Sequence, residues 1–412
     1  MELKCTVQTY AWGKCGEKSI IAKLKQSTDA DFVIDKEKTY AELWMGTHEN
    51  GPSYLKDKDM PLQTYIQENP DVLGSDVVQT FGTNLPFLFK VLSINKALSI
   101  QVHPNKEKAE ELHQLYPDVY KDSNHKPEMA IAVSSFEALC GFRPVEEIKE
   151  YLEYIPELCA VVGKENAENL SSANLSKANS TPSHHLQQCF YSLMDCDPGK
   201  VAKQLQKLIV RLQKTDSHHK QWAHADLLNR LHSDYPGDVG CFTIYLFNYV
   251  SLMPGQAMYI GPNVPHAYIS GDCVECMACS DNVIRAGLTP KPKDVKTLIE
   301  VLSFEQSSVE MINPSWEDNH TQVFRPPVSE FAVARICVPN NSLELSHDIS
   351  QAYTLRPRNS ASILLIIHGG IKTKTSNKIF SEGNVLFIPA NNEVDIDILS
   401  NPTLMFQAFS NV

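Results

Sequence analysis

The sequence predicts a mainly β protein with a helical insertion: a β domain, a block of helices, then β structure to the C-terminus. Three observations carry this. Short apolar runs broken by turn residues fill roughly the first 140 residues and most of the chain after about 240, the pattern of a sandwich or jelly roll. Between them, 145–235 carries apolar residues at helical spacing. A short internal repeat, GQAMYI (255–260) against GNVLFI (383–388), is followed in both copies by a Pro-containing turn and another strand. It pairs His266 of the first copy with Val394 of the second, so only the first β domain keeps a polar centre.

The elements follow in order. LPFLFKVLSINKALSIQVHP (85–104) reads as two strands joined by a turn at Asn95-Lys96. Ser99, Gln101 and His103 alternate with Ile100 and Val102, so three polar side chains share one face of an otherwise apolar strand. KPEMAIAV (126–133) reads as another strand. Pro127 holds Lys126 extended, which sets Lys126 and Glu128 on one face. The stretch 145–162 reads as an amphipathic helix, and the Asn/Ser/Ala-rich 164–183 as a solvated loop. Val201, Leu205, Leu208, Ile209 and Leu212 mark a helix over 200–214, and Leu227, Leu228 and Leu231 another over 222–232. The turn Tyr235-Pro236-Gly237 closes the block. Strands resume at Cys241, with one helix near 294–302. The domain bounds this gives are 1–144 with 236–320, the insertion 145–235, and 321–412.

Composition narrows the function. A chain of 412 residues, 42% hydrophobic and 21% charged, is a folded protein of two or three domains. A net charge of −12 excludes a general nucleic-acid binder, but not a small anion held by a few local Lys and Arg. Eleven cysteines, an odd number, point to reduced thiols and a cytoplasmic protein. The opening MELKCTVQTYAWGK has no apolar core of a signal peptide, and the apolar run at 363–367 is far below the ~18 residues of a membrane span.

Gln101, His103, Glu128 and His266 together offer the donors that catalytic zinc takes, with a coordination position left open. Each has an ordinary alternative: an exposed strand face, a surface ion pair with Lys126, a hydrogen-bonded structural histidine. Spacing alone does not bring His266 to Gln101. CVECMAC (273–279) has cluster-like spacing but lacks a fourth Cys followed by Pro. On a strand, Cys273 and Cys279 face one way and Cys276 the other, which reads as core filling and leaves Glu275 on the face of Cys273. Arg285 and Lys291 could hold a phosphate.

YAWGK (10–14), AELWMGTH (41–48), LPFLFKVLS (85–93), LSIQVHPNK (98–106), NHKPEMAIA (124–132), CGFRP (140–144), NVPHAY (263–268) and GDCVECMACSDNVIRAGLTPK (271–291) closely resemble the type I mannose-6-phosphate isomerases, or phosphomannose isomerases. The resemblance runs over nearly the whole chain and is densest in the last block. It implies a cupin-like fold of two jelly-roll domains with a helical insertion in the first. It implies one zinc ion per chain on Gln101, His103, Glu128 and His266, and a catalytic Arg285. Pocket residues of the family match Ser99, Lys90, Lys126, Glu275, Asp281 and Lys291. The acid–base group is among Lys126, Asp281, Glu275 and metal-bound water, with Ser99, Lys90 and Lys291 binding substrate. The implied reaction interconverts mannose 6-phosphate and fructose 6-phosphate through a cis-enediol and feeds GDP-mannose synthesis and glycosylation. The implied protein is a cytoplasmic monomer without nucleic-acid or membrane partners. The family departures, Val102 and Ile284, remove no functional group.

Two other readings of the same residues differ in what they require. A non-haem Fe(II) oxygenase also uses two His and one carboxylate, but Gln101 as a fourth ligand crowds the open positions it needs. A sugar-binding jelly roll without catalysis needs no such intact donor set.

Overall fold

The computed structural model describes residues 1–173, 181–305, 308–339 and 351–412. The strand period of two sorts apolar side chains into successive cores, and these cores define the layers. Helices pack on one sheet, built from the Phe136–Phe142, Phe247–Leu252, Ile100–Val102 and Ile284–Gly287 strands and the first half of the His266–Ala278 strand. Its outer face gives Leu139, Val102, Ala267, Ile269 and Ile284 to the helical core. Its inner face meets a second sheet that includes Glu42–Met45, Phe87–Ile94, Glu128–Ala132 and Ala257–Ile260. Leu92, Ala130, Ala138, Met258 and Tyr268 fill the space between them. The outer face of this second sheet packs Phe89, Val91, Met129, Ile131, Val274 and Cys276 against Phe324, Phe331, Ile363 and Phe387 of the C-terminal barrel. That barrel encloses its own apolar core, with Ile336, Leu364, Ile366, Ile371 and Ile396 among its members.

The fold is therefore mainly β, two stacked barrels with the inserted helices packed on the first, as expected; the helices Ile20–Thr28, Leu62–Glu68 and Ser75–Phe81 pack instead into the core the barrels share. The pairing also crosses the expected domain bounds. The Glu2–Lys4 strand lies between Val385–Ile388 and Tyr54–Leu55, so the chain's first strand extends the sheet of the C-terminal barrel. Both copies of the internal repeat form strands, Ala257–Ile260 and Val385–Ile388, each entered through a glycine of positive φ. Val394 opens a strand of the second barrel as His266 opens one in the first.

The His266–Ala278 strand serves both sheets of the first barrel. Residues 266–270 pair with Phe136–Phe142, and 271–278 with Phe87–Ile94. The switch falls at Gly271, whose φ is +110°. A Cβ there would lie 2.4 Å from the Ser135 carbonyl oxygen, so only glycine fits the bend.

Local chemistry explains where the helices depart from the periodicity. The expected helix over 145–162 is two, Val145–Tyr154 and Pro156–Val162, because Pro156 has no N–H to continue the first and suits the start of the second. Lys164–Ser172, expected as loop, is a helix that buries Ala167 and Leu170; packing overrides its polar composition. The rest of that expected loop includes 174–180, which lie outside the described residues. The expected 222–232 helix is Ala225–Asp234, preceded by the short Ser217–Trp222. Near Cys241 the chain forms a 3-10 helix, Val239–Tyr245, and the strand begins at Phe247. Among the described residues no helix is long and apolar enough to cross a membrane.

Ion pairs tie the insertion to the barrel, among them Arg230–Glu137 and Lys96–Asp234. Glu137 accepts from Arg230 at 2.7 and 2.9 Å and also bonds Ser270 and Tyr249. Burial alone would raise its pKa; Arg230, Ser270 and Tyr249 outweigh that and hold it at about 2. Because the folded-state value is depressed, the stabilisation is present above the unfolded pKa and is lost as pH falls towards the folded one. Glu137→Gln is expected to lower the unfolding free energy by about 1–2 kcal/mol at pH 7, the half-exposed Arg230 being partly screened. In denaturant titrations the gap between variant and parent should narrow below pH 4.5, the ordinary value of the carboxyl.

Candidate metal centre

Strand alternation turns Ile100 and Val102 to the helical core and leaves Ser99 and Gln101 facing the barrel interior. Gln101 pairs directly with His266 on one side and Arg285 on the other. Residues opposed in register share a face, so His266, Gln101 and Arg285 form one row across three strands. Glu128 reaches this row from the facing sheet, and His103 follows at the end of the Ile100–Val102 strand. Ligand atoms of His103, Glu128 and His266 lie within 4.8 Å of one another, and all three residues are buried.

The hydrogen bonds fix which nitrogens face inward. His103 Nδ1 lies 2.7 Å from the Asn282 carbonyl oxygen, and His266 Nδ1 3.0 Å from that of Val264. A carbonyl only accepts, so both Nδ1 atoms carry a proton, and each ring when neutral presents its lone pair at Nε2. Those lone pairs face the carboxylate of Glu128, at 3.2 Å from His103 and 3.4 Å from His266. His103 Nε2 is buried without a hydrogen bond. Burial pulls the His103 pKa down to about 4, so the ring is neutral. Burial opposes ionisation of Glu128, but at the low pH where it titrates His103 is protonated, and with Lys126 it holds the carboxyl well below its ordinary range. Three atoms able to donate a lone pair thus converge. Tetrahedral zinc with bonds of about 2.0–2.1 Å sets its ligands about 3.3–3.4 Å apart, so the spacing fits a metal ion.

A charged floor lies beside this group. The Lys90 ammonium is 3.1 Å from Glu275 and 3.8 Å from Glu42, and sits 5.1 Å from the Trp44 ring centroid. Burial opposes its charge, yet Glu42, Glu275 and Glu128 together raise its pKa and keep it protonated. Burial is also the main reason the Glu275 pKa is raised. Lys126 Nζ stands 3.5 Å from Glu128 Oε1, on the face expected from the extended segment before Pro127. Ser99, Gln101, Lys90, Lys126, Glu128, His266 and Glu275 all line one cavity of about 90 Å³.

Four expected site residues are not in that cavity lining: His103, which stands behind it beside Glu128, and Asp281, Arg285 and Lys291. Asp281 is at the rim, bound to His48 at 3.1 Å and Asn50 at 3.2 Å, and His48 holds its pKa low. Arg285 shares the Gln101 row and is half-buried; among the described residues no carboxylate pairs with it. Lys291 is exposed beyond the same strand. The cysteines divide as expected, Cys276 in the core between the barrels and Cys273 inside the first barrel.

Sequence reasoning missed the supports. Glu42 and Trp44 alternate on the Glu42–Met45 strand, a period-two signal that was available. Asp122 left no local signal. Its carboxylate accepts from Ser280 Oγ at 2.8 Å, Asp281 N at 2.8 Å and Asn124 N at 2.9 Å, and from the Asn282 amide at 3.2 Å. Asn282 in turn offers its carbonyl to His103. Asp122→Ala should therefore weaken metal binding about 10–100-fold, read by chelator competition, because an outer partner orients the ligand.

The family described as phosphomannose isomerase type I, catalytic domain, matches residues 1–145, and its helical insertion domain matches residues 161–247. The chain is 45% identical to the mannose-6-phosphate isomerase of Macaca fascicularis over 98% of this chain and 96% of that one. It is 40% identical to mannose-6-phosphate isomerase 1 of Arabidopsis thaliana over 96% of this chain and 90% of that one. A crystal structure of a mannose 6-phosphate isomerase bound with zinc and yttrium superposes with a TM-score of 0.82 at 28% identity, covering 100% of this chain and 99% of that one.

Proposed function

The chain belongs to the type I phosphomannose isomerases, and from that membership we propose a zinc-dependent interconversion of mannose 6-phosphate and fructose 6-phosphate through a cis-enediol. The observation that carries the zinc assignment is the convergence of two histidine lone pairs and one ionised carboxylate beside Gln101. Zinc held by Gln101, His103, Glu128 and His266, one ion per chain, supplies a Lewis acid that keeps a net positive charge, since only Glu128 is anionic.

The reaction moves a proton between C2 and C1 and shifts the carbonyl the other way. Lys126, beside Glu128 and lining the cavity, is placed to move protons at the reacting carbons and their oxygens. Lys90 stays charged, so it binds substrate oxygens rather than accepting a proton. Glu275 holds Lys90 in place and remains a second candidate for proton transfer. Arg285, unpaired by any carboxylate among the described residues, stabilises developing negative charge from the far side of Gln101. Ser99 and Lys291 receive the phosphate, and Asp281 orders the rim through His48. Reduced thiols fit a cytoplasmic enzyme, and all eleven cysteines are unpaired. We assign it a monomeric state and a role in supplying mannose 6-phosphate for GDP-mannose and glycosylation. The domain bounds 1–144 with 236–320, 145–235 and 321–412 complete the reading, with Glu2–Lys4 lending a strand to the sheet of the last unit.

The test is a coupled assay from mannose 6-phosphate to fructose 6-phosphate, before and after chelation, with zinc restored and metal measured on the same sample. Turnover that is lost and regained with zinc is expected. Stoichiometric zinc without turnover, or iron with O₂ consumption, would overturn the reading.

A further inference from the structure

The C-terminal barrel touches the active-site segment at one charged point. His125 Nε2 lies 2.5 Å from Glu330 Oε1, with the two side chains 20% and 11% exposed. Glu330 is rigidly placed. The preceding Ser329 carbonyl accepts from Asn411 N and Ser410 Oγ, both at 2.9 Å, and the following Phe331 is buried in the core shared by the barrels. On the other side, His125 immediately precedes Lys126 in the extended run before Pro127. Alternation sends Lys126 and Glu128 into the cavity and His125 to the opposite side. Neighbouring residues are held within the first barrel: the Asn124 carbonyl accepts from Ser280 and Asn282, and the Pro127 carbonyl from Ala278 N. Only the His125 side chain carries this segment across to the second barrel, among the hydrogen bonds of the described residues.

We propose that Glu330 is a positioning residue of the active site, acting through His125 to fix Lys126 and Glu128. The second barrel, which lacks a histidine where the first has His266, then serves the site by supporting it from behind. Its packing against Met129 and Ile131 supports the same strand that carries Glu128. The inference rests on the isomerase reading for its kinetic effect, but not for its effect on metal binding.

Glu330→Leu, His125→Leu and the double variant test it, since leucine can neither donate nor accept. Each single change is expected to lower kcat about tenfold with KM within about twofold, and to raise the zinc Kd about three- to tenfold. The double variant should be no worse than either single one, because both break one link. Zinc Kd comes from chelator competition and needs no turnover, so a parent chain without isomerase activity sinks the functional reading while this measurement still tests Glu330. If Glu330→Leu fails to fold, His125→Leu reads the same link from the more exposed side. Unchanged kcat and zinc Kd, a lower thermal midpoint alone, or additive losses in the double variant would overturn the proposal.

Discussion

Glu128→Gln is expected to abolish zinc binding and turnover together while leaving the apo protein folded. Glu128 is the anionic member of the converging group, and its two oxygens face His103 and His266 separately. The amide has the same shape but no charge. It can donate to a histidine Nε2 that otherwise has no proton to share, so the apo site loses little. The cost falls on the loaded state. A rise in zinc Kd of ~10³-fold corresponds to about 4 kcal/mol at 1.4 kcal/mol per decade. Zinc stabilises the folded chain by binding it selectively, so the parent's thermal midpoint should climb with zinc and the variant's should not. The measurement is a pair of thermal titrations with and without zinc, beside the coupled assay. A variant that still gains stability from zinc at the parent's concentrations would remove Glu128 from the ligand set.

The same residues show what a one-dimensional reading can reach. Ser99, Gln101 and His103 are legible as one face because strand alternation is local. Lys126 and Glu128 are legible because Pro127 restricts its neighbour. The row His266–Gln101–Arg285 is a matter of register between strands distant in the chain, which alternation does not encode. The family resemblance supplied that set; the register supplies a physical reason for it. His103 takes its orientation from Asn282, 179 residues away, and Asn282 takes its own from Asp122. Hydroxyl, amide and acid groups of this kind look like loop residues until the fold brings them together. The helices show the converse failure. Lys164–Ser172 has a loop's composition, and only the burial of Ala167 and Leu170 makes it a helix. Gly271 is similar: its need appears only once the backbone of Ser135 and Phe136 is seen beside it.

Lys126→Met should separate chemistry from metal binding, in contrast to Glu128→Gln. Its ammonium stands 3.5 Å from Glu128 Oε1 and lines the cavity, but it is not itself a metal donor while protonated. Two electrostatic effects act on zinc affinity, and both have the same sign. The ammonium competes with the ion for the Glu128 carboxylate, and it repels the ion directly. Methionine keeps the chain's length and removes both, so zinc should bind as tightly as in the parent or more tightly. If Lys126 moves the proton, kcat should still fall about 10²–10⁴-fold, the usual worth of a positioned acid–base group. Proton exchange supplies the sharper readout. With the parent, substrate turned over in D₂O should acquire deuterium at the carbon that receives the proton. With Lys126→Met, that incorporation should disappear along with turnover while zinc remains bound. Full incorporation in the zinc-loaded variant would move the proton-transfer role to Glu275 or another group in the cavity.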